Sequence, residues 1–379
     1  MQDTPFFSRL RNRIAGLGGV FNAHLHLDRA GTFDDTLALV NVADGDGPVD
    51  SSAISLTAKH AMIPRIHASP CYDPRRLKSR VACYLDLLVA AGTTRADTVV
   101  DTTADRVGLT ALEACLDLKA DYRGRLDLRV AAYSPLGFQD AEPGRWALLE
   151  EAALLADFIG GLPERDDRAV YDDHIGYDES CRRLLTLAAD LGKPLHLHVD
   201  QKNLAAEDGT ERALQAAADL RLPAVGPTAE PTVWLVHAIS PSAYAEPRFQ
   251  ALLAGIANFG MGVICCPSAA ISMRQIRAVS APTHNSIARV LELLAAGVPV
   301  RVGSDNVCDI TSPAGTVDLV QELFVLSNAV RFYDLEILAK LGAGVALDAA
   351  DRGRITEHLD RDAAEIRRVM PFPRIGRAA

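Results

Sequence analysis

The chain is poor in positive charge: 39 lysines and arginines face 49 acidic residues, for a formal net charge of -10, and its pI lies near 5.5. A polyanion would be repelled at long range, so nucleic acid and anionic membrane are excluded as partners, and no basic run contradicts this. The sequence also lacks any CxxC spacing. Its seven cysteines, an odd number, are scattered and read as reduced thiols of a cytoplasmic protein rather than a disulfide framework. The adjacent Cys265 and Cys266 read as strand filling. Met1 to Gly16 is polar and charged throughout and has no apolar core of a signal peptide. No apolar run approaches the length that spans a bilayer. What remains is 379 residues, 49% of them hydrophobic, enough to bury a large core. A barrel of alternating strands and helices is one of the few single-domain answers at that length.

Strand and helix signals do alternate. Leu17 to Val20 is a brief apolar run that reads as a buried strand. Ala30 to Asp73, with Gly45-Asp46-Gly47-Pro48, reads as a long loop holding at most a short helix, and long loops in compact proteins are usually functional. Leu77 to Ala91 has helical spacing and stops at Gly92; Ala96 to Asp101 is a β-branched strand. Leu109 to Lys119 and Glu150 to Ala156 read as helices, and Leu126 to Tyr133 and Phe158 to Gly161 as strands. Asp178 is the N-cap candidate of a helix ending at Gly192. There follow the strand Pro194 to Val199, the helix Thr210 to Leu220, the strand Val233 to His237, the helix Pro247 to Phe259 and the strand Gly262 to Cys266. His284 to Ala296 reads as an amphipathic helix, Val298 to Val302 as the last strand, and Thr316 to Val330 and Leu335 to Leu341 as helices. About eight strands, most followed by a helix, predict an α/β fold of the (β/α)8 TIM barrel type with a parallel sheet. It is expected as one domain over residues 1–379, with a barrel core near 17–346 and a C-terminal tail 347–379.

In such a barrel the chemistry sits at the C-terminal mouth of the strands. In Phe21-Asn22-Ala23-His24-Leu25-His26-Leu27-Asp28, strand periodicity puts His24 and His26 on one side with Leu25 turned away. A lone His-x-His is as often a packed pair as a ligand pair. Other strand ends carry residues of the same kind, however: His198, His237 and Asp305. Imidazoles and a carboxylate around one divalent ion, with a position left open, are what a hydrolytic site needs. His196 lies on the face of His198 but deeper, and reads as structural, with contact to the metal site as the alternative. His60, His67, His174, His284 and His358 lie in loops or at helix ends and are expected in solvent, His67 with the reach to touch a substrate. Asp28 and Asp309 are carboxylates near the mouth that would support a ligand or cap a loop.

These stretches resemble the amidohydrolase superfamily, and within it the cytosine deaminase and N-isopropylammelide hydrolase branch. The matching segments are His24-Leu25-His26-Leu27-Asp28, Asp97-Thr98-Val99-Val100-Asp101, Gly160-Gly161-Leu162-Pro163-Glu164, His196-Leu197-His198-Val199-Asp200, Val236-His237 and Gly303-Ser304-Asp305-Asn306, in family order. The resemblance implies one divalent metal ion, zinc first and iron second, held by His24, His26, His198 and Asp305, with His237 orienting the attacking water or the leaving group. No lysine occurs in the fourth-strand region, which argues against the two-metal, carboxylated-lysine variety. Three departures stand out. Gln201 occupies the position of the branch's proton-shuttling glutamate, and an amide can hydrogen-bond but cannot transfer a proton. Pro135, in Tyr133-Ser134-Pro135-Leu136-Gly137, falls near the branch's substrate-reading glutamine and has no side-chain donor. Little chain precedes the first barrel strand, so the usual β-sandwich subdomain is expected to be largely missing, its covering role left to the long first loop and the tail after Arg354.

The expected function is a metal-dependent hydrolase that attacks a C–N bond of a small cyclic or N-heterocyclic compound through a metal-activated water. Asp305 would be the base and His237 its assistant. Gln201 would donate a hydrogen bond to the substrate, and His67, Asp309 and Tyr133 would contact it. Two alternatives stay open: a deaminase of a cytosine-like or triazine-like ring, and a catalytically silent barrel that binds a ligand or serves as scaffold. The partner is a small molecule, with a homo-oligomer left open.

Overall fold

The structure is a computed structural model, and it describes residues 4–36, 55–221, 230–273 and 287–369. Eight parallel strands run in the order β1 to β8: Val20–Leu25, Thr93–Asp101, Asp127–Tyr133, Phe158–Gly161, Leu195–Val199, Val233–His237, Gly262–Cys265 and Val300–Val302. A parallel bridge between Leu25 and Asp305 joins the last strand to the first, where the Asp305 N–H donates to the His24 carbonyl at 2.9 Å. With both sheet edges paired there, the barrel needs no sandwich to protect them. Among the described residues every named strand belongs to this one sheet.

Alternation along the strands builds two cores. On β5, Leu195, Leu197 and Val199 join the large apolar layer shared with the surrounding helices, while His196 and His198 point into the barrel. On β6, Val233 and Leu235 go outward with them, and Trp234 and Val236 fill the interior beside Phe21, Ala23 and Ile264. Across the barrel Val99, Ala131, Tyr133 and Phe158 form the facing interior cluster. Gly160 makes room for it: a Cβ there would lie 2.9 Å from Val99 and 3.0 Å from the Tyr133 ring. At the floor, Asp97 lies 3.8 Å from the guanidiniums of both Arg95 and Arg129, and Arg301 stacks 3.9 Å from the Trp234 ring centroid. Polar groups close the bottom, apolar groups fill the middle, and imidazoles face the mouth.

Several element bounds differ from expectation. Leu17 is no strand residue. It ends a helix, Pro5–Gly16, that buries Leu10 and Ile14, and Gly18 and Gly19, both at positive φ, turn the chain into β1. The long first loop contains helices Leu56–Ala61 and Ile63–Ala68; residues 37–54 lie outside the described residues. Asp178 sits in the first turn of helix Tyr177–Leu191, whose N-cap is Gly176, while Gly192 closes it in the left-handed conformation at φ 61° as expected. The helix Pro143–Leu155 begins well before Glu150, with Pro143 in its first turn. Only Val290–Ala295 is helical in the described part of the 284–296 segment, and residues 284–286, His284 included, lie outside it. The tail from Ala349 to Val369 is a helix, buried at Ile355 and held against helix 290–295.

Candidate metal centre

Three strand-end histidines meet at the mouth. His24 and His26 from β1 and its exit, and His198 from β5, each offer a ring nitrogen within 4.8 Å of the others. The Nε2 atoms of His24 and His198, from residues 174 apart in sequence, are 3.0 Å apart. Asp305 Oδ1 is 3.2 Å from His26 Nε2 and 3.8 Å from His24 Nε2, and Asp305 Oδ2 is 3.9 Å from His237 Nε2. All five residues are buried, none more than 6% exposed. Strict alternation would turn His237 outward with Val233 and Leu235. Instead β6 ends in left-handed backbone, φ 78° at His237 and 47° at Ala238, and the imidazole reaches the interior. Asp305 is also left-handed, at φ 60°. Such conformations cost energy and are characteristic of functional sites.

The electrostatics suit a cation. Burial, reinforced by the neighbouring imidazoles, drives His24 and His198 well below the usual histidine range, and burial lowers His237 too, so these rings are neutral and keep a lone pair for ligation. His198 Nδ1 lies 2.9 Å from the Gly161 carbonyl; donating there leaves Nε2 as the free acceptor. Burial opposes ionisation of Asp305, but the His26 ring, its Nε2 3.2 Å from Oδ1, and the His237 and His198 rings outweigh it and hold the carboxyl below the usual range. Asp305 Oδ1 and the Nδ1 atoms of His24 and His237 are buried without a hydrogen-bond partner. The donor set therefore fits a divalent ion. One adjustment is required: Arg29 Nη2 lies 2.7 Å from His26 Nδ1, which keeps the His26 proton on Nε2. Ligation through Nε2 would move that proton to Nδ1 and turn Arg29 toward Asp101, whose Oδ2 is already 3.3 Å from Arg29 Nε.

A cavity of about 20 Å³ opens on this cluster, lined also by Tyr133, Gln201, His60, Asn306 and Met273. That is room for a water; a ring needs lining residues such as Leu56, His60, Thr311 and Ser312 to move. A larger cavity, about 490 Å³, lies at the barrel floor beside Arg95, Trp234 and Arg301, far from these groups.

No family model matches the chain. A pterin deaminase from Rhizobium rhizogenes is 24% identical over 262 residues, 69% of this chain and 55% of that protein. A Haemophilus influenzae protein described as uncharacterized is 26% identical over 292 residues, 76% of this chain and 95% of that one. Among solved structures, 5-methylcytosine deaminase from Klebsiella pneumoniae with 5-fluorocytosine superposes with a TM-score of 0.70 at 22% identity, over 89% of this chain and 74% of that one. N-isopropylammelide isopropylaminohydrolase from Burkholderia multivorans does so with a TM-score of 0.63 at 24% identity, over the same shares, 89% and 74%. The chain shares the (β/α)8 barrel fold of these two enzymes. At these identities the structural likeness carries the fold alone, and the chemistry of this barrel rests on its own residues.

The remaining expected residues fall into place unevenly. Tyr133 lines the cavity, its ring 5.5 Å from His26 and 5.2 Å from His198. His196 is outside the triad and stacks on Phe158 at 4.4 Å, beneath it. Asp309 does not reach the cavity: its carboxylate accepts from the Thr311 and Ser312 N–H groups at 2.8 and 2.9 Å and from Asn306 at 2.5 Å, capping its loop. Asp28 accepts from the Asp101 N–H and the Tyr72 hydroxyl, both at 2.9 Å. His67 is not in solvent and does not line the cavity at the histidine cluster. It is 1% exposed and lies between Asp101 and Asp105, at 2.9 and 2.7 Å. His174 is buried against Asp166 at 3.1 Å, His60 is half-buried at the mouth, and His358 is half-buried against Phe332. Gln201 lines the cavity with one of its two amide hydrogens committed, since its Nε2 donates to Glu164 Oε2 at 3.1 Å.

Sequence reasoning passed over Arg29, Asp101 and Glu164. Each had a signal: Arg29 directly follows the His-x-His-Leu-Asp segment, Asp101 ends β2, and Glu164 follows the glycine pair that ends β4.

Proposed function

We propose that this barrel is a metal-dependent hydrolase that uses water to cleave a C–N bond of a small N-heterocyclic compound. The observation that carries the reading is the convergence of His24, His26 and His198 beside the ionised Asp305 in a buried, water-sized cavity. His24, His26, His198 and Asp305 would hold one divalent ion, zinc before iron. Bound there, such an ion supplies Lewis acidity and lowers the pKa of water from about 15.7 toward about 7. Asp305, with Oδ1 unpartnered and its carboxyl below the usual range, accepts the proton of the attacking water and returns it to the leaving nitrogen. His237, 3.9 Å from Asp305, orients that exchange. Tyr133 and Gln201 contact the ring from the cavity wall.

The pterin and 5-methylcytosine deaminases among its relatives support a ring substrate, with release of ammonia from a cytosine-like or triazine-like ring as the second reading. The reducing, cytoplasmic setting read from the free cysteines belongs to the same proposal. The test is elemental analysis of the purified protein and its His24→Ala and His198→Ala variants, then turnover on aminopyrimidines, aminotriazines and cyclic ureides. One divalent ion per chain, lost in both variants, is expected. Asp305→Asn should lower turnover by at least about 10²-fold while the fold persists. Undiminished metal in the histidine variants, or a fully active Asp305→Asn protein, overturns the site. Metal without turnover on any ring leaves a ligand-binding barrel.

A further inference from the structure

We propose that Glu164 sets the orientation of the Gln201 amide, and that the amide carbonyl so displayed selects ring substrates bearing an N–H beside the reacting carbon. This deepens the hydrolase reading and rests on it for the site, but it concerns recognition of the ring.

Gln201 is 5% exposed and lines the cavity with His26, Tyr133, His198 and His237. Two of its donors converge on one carboxylate. The main-chain N–H donates to Glu164 Oε1 at 3.3 Å, and Nε2 donates to Glu164 Oε2 at 3.1 Å. A glutamine amide has one donor end and one acceptor end, and an ionised carboxylate has acceptors only. With both carboxylate oxygens engaged by donors, reversing the amide would set its carbonyl against a carboxylate oxygen. While Glu164 is ionised, Nε2 is therefore committed to it, and the carbonyl oxygen takes the other side. In a closed cavity that acceptor needs a partner, because a buried carbonyl left unpaired forfeits the hydrogen bonds it had in water. A ring N–H, as in a lactam or cyclic ureide, supplies the partner, whereas a ring nitrogen bearing a lone pair repels it.

Glu164 is held for this task by the backbone. It sits in the short 3-10 helix Pro163–Asp166 that follows β4, and its surroundings supply opposing charges, with Glu207 and Asp200 repelling and Lys202 attracting; the Tyr177 phenol lies within the same field. Burial and the two carboxylates push the Glu164 carboxyl up to about 8, so the carbonyl-out arrangement is complete in mildly alkaline solution. A protonated Glu164 would offer an O–H to Gln201 and reverse the amide. Glu164→Gln does the same at every pH. Its carbonyl end stays with the Gln201 main-chain N–H, its NH₂ end faces the Gln201 side chain, and Gln201 must then turn its own NH₂ into the cavity.

The experiment is calorimetric binding at pH 9 of pyridin-2-one, which keeps its ring N–H at that pH, and of its O-methyl lactim ether 2-methoxypyridine, which carries a lone pair there. The purified wild-type and Glu164→Gln proteins are compared at matched metal content. The wild type is expected to prefer the N–H ligand by about tenfold, the worth of one hydrogen bond, and Glu164→Gln to bring the ratio to unity or reverse it. Should the variant not fold, the wild type alone decides: its preference shrinks from pH 9 to pH 6.5 as Glu164 takes up a proton. A preference that is absent in the wild type, unchanged in Glu164→Gln, or insensitive to this pH change overturns the proposal. Selective binding without hydrolysis of any ring would refute the hydrolase reading alone, and hydrolysis without this selectivity would refute the present one alone.

Discussion

Replacing His67 by glutamine tests whether the buried charge network behind the candidate metal centre is what the geometry says it is. His67 Nε2 lies 2.9 Å from Asp101 Oδ2, and Nδ1 lies 2.7 Å from Asp105 Oδ2. With a carboxylate at each nitrogen, both nitrogens must donate, so the ring is an imidazolium. Burial alone would lower its pKa, but the hydrogen bonds and charges of Asp101 and Asp105 prevail and push it up to about 9, from an ordinary 6.5. At about 1.36 kcal/mol per pH unit, that gap is worth about 3 kcal/mol, and nearer 2 once the partial exposure of Asp105 is discounted. The sign follows from proton uptake. The folded protein holds this proton more tightly than the unfolded chain, so the contribution is complete below pH 6.5 and is lost as pH rises through about 9. Asp105, held down to about 2, and Asp101, also lowered, stay ionised in that window and add no slope. Urea denaturation of wild type and His67→Gln at pH 6 and at pH 9.5 measures the effect. The stability difference between the two proteins should shrink by about 2 kcal/mol from the first pH to the second. Carboxyls such as Glu322, raised to about 7 by burial, are common to both proteins and cancel. A difference that stays constant across this range would show that His67 is not an imidazolium held by two carboxylates.

Two further outcomes follow from contacts at the mouth. A Cβ on Gly303 would lie 2.9 Å from both the backbone N and the backbone O of His24 and 2.8 Å from its Cβ. Gly303→Ala should therefore cost about 1–3 kcal/mol and lower metal content by displacing His24, as thermal melting and elemental analysis would show; an unchanged metal stoichiometry counts against the close β1–β8 contact as the support of the ligand. Gln201→Glu places a second carboxyl against Glu164, now 3.1 Å from the amide nitrogen, and removes the amide. Turnover on the ring panel should fall by about tenfold or more, and a gain on cytosine would instead identify a weakened deaminase that lacks only its proton carrier.

Local pattern was sufficient for much of the architecture. The strands Val233–His237 and Phe158–Gly161 have the bounds read from their apolar runs, and Gly192 stops its helix because only glycine adopts the left-handed conformation there without strain. Period-two alternation also put His24 and His26, and His196 and His198, on shared faces, since that depends on neighbouring residues alone. The His-x-His pair and the later strand-end residues could be named as ligand candidates for the same reason. Local pattern could not say how far each side chain lies from the others. That His24 and His198 come within 3.0 Å follows from barrel closure, and that His237 joins them follows from a left-handed turn at the end of β6 which alternation contradicts. His67, in sequence a loop histidine, became a buried ion-pair partner because the chain before Pro74 folds into helices against β2, bringing it to Asp101. Glu164 acquired its hold on Gln201 in the same way, across 37 residues. Side-chain direction is set by local backbone geometry, whereas proximity between distant segments is set by the packing of the whole core, and burial and charge then decide what each group can do.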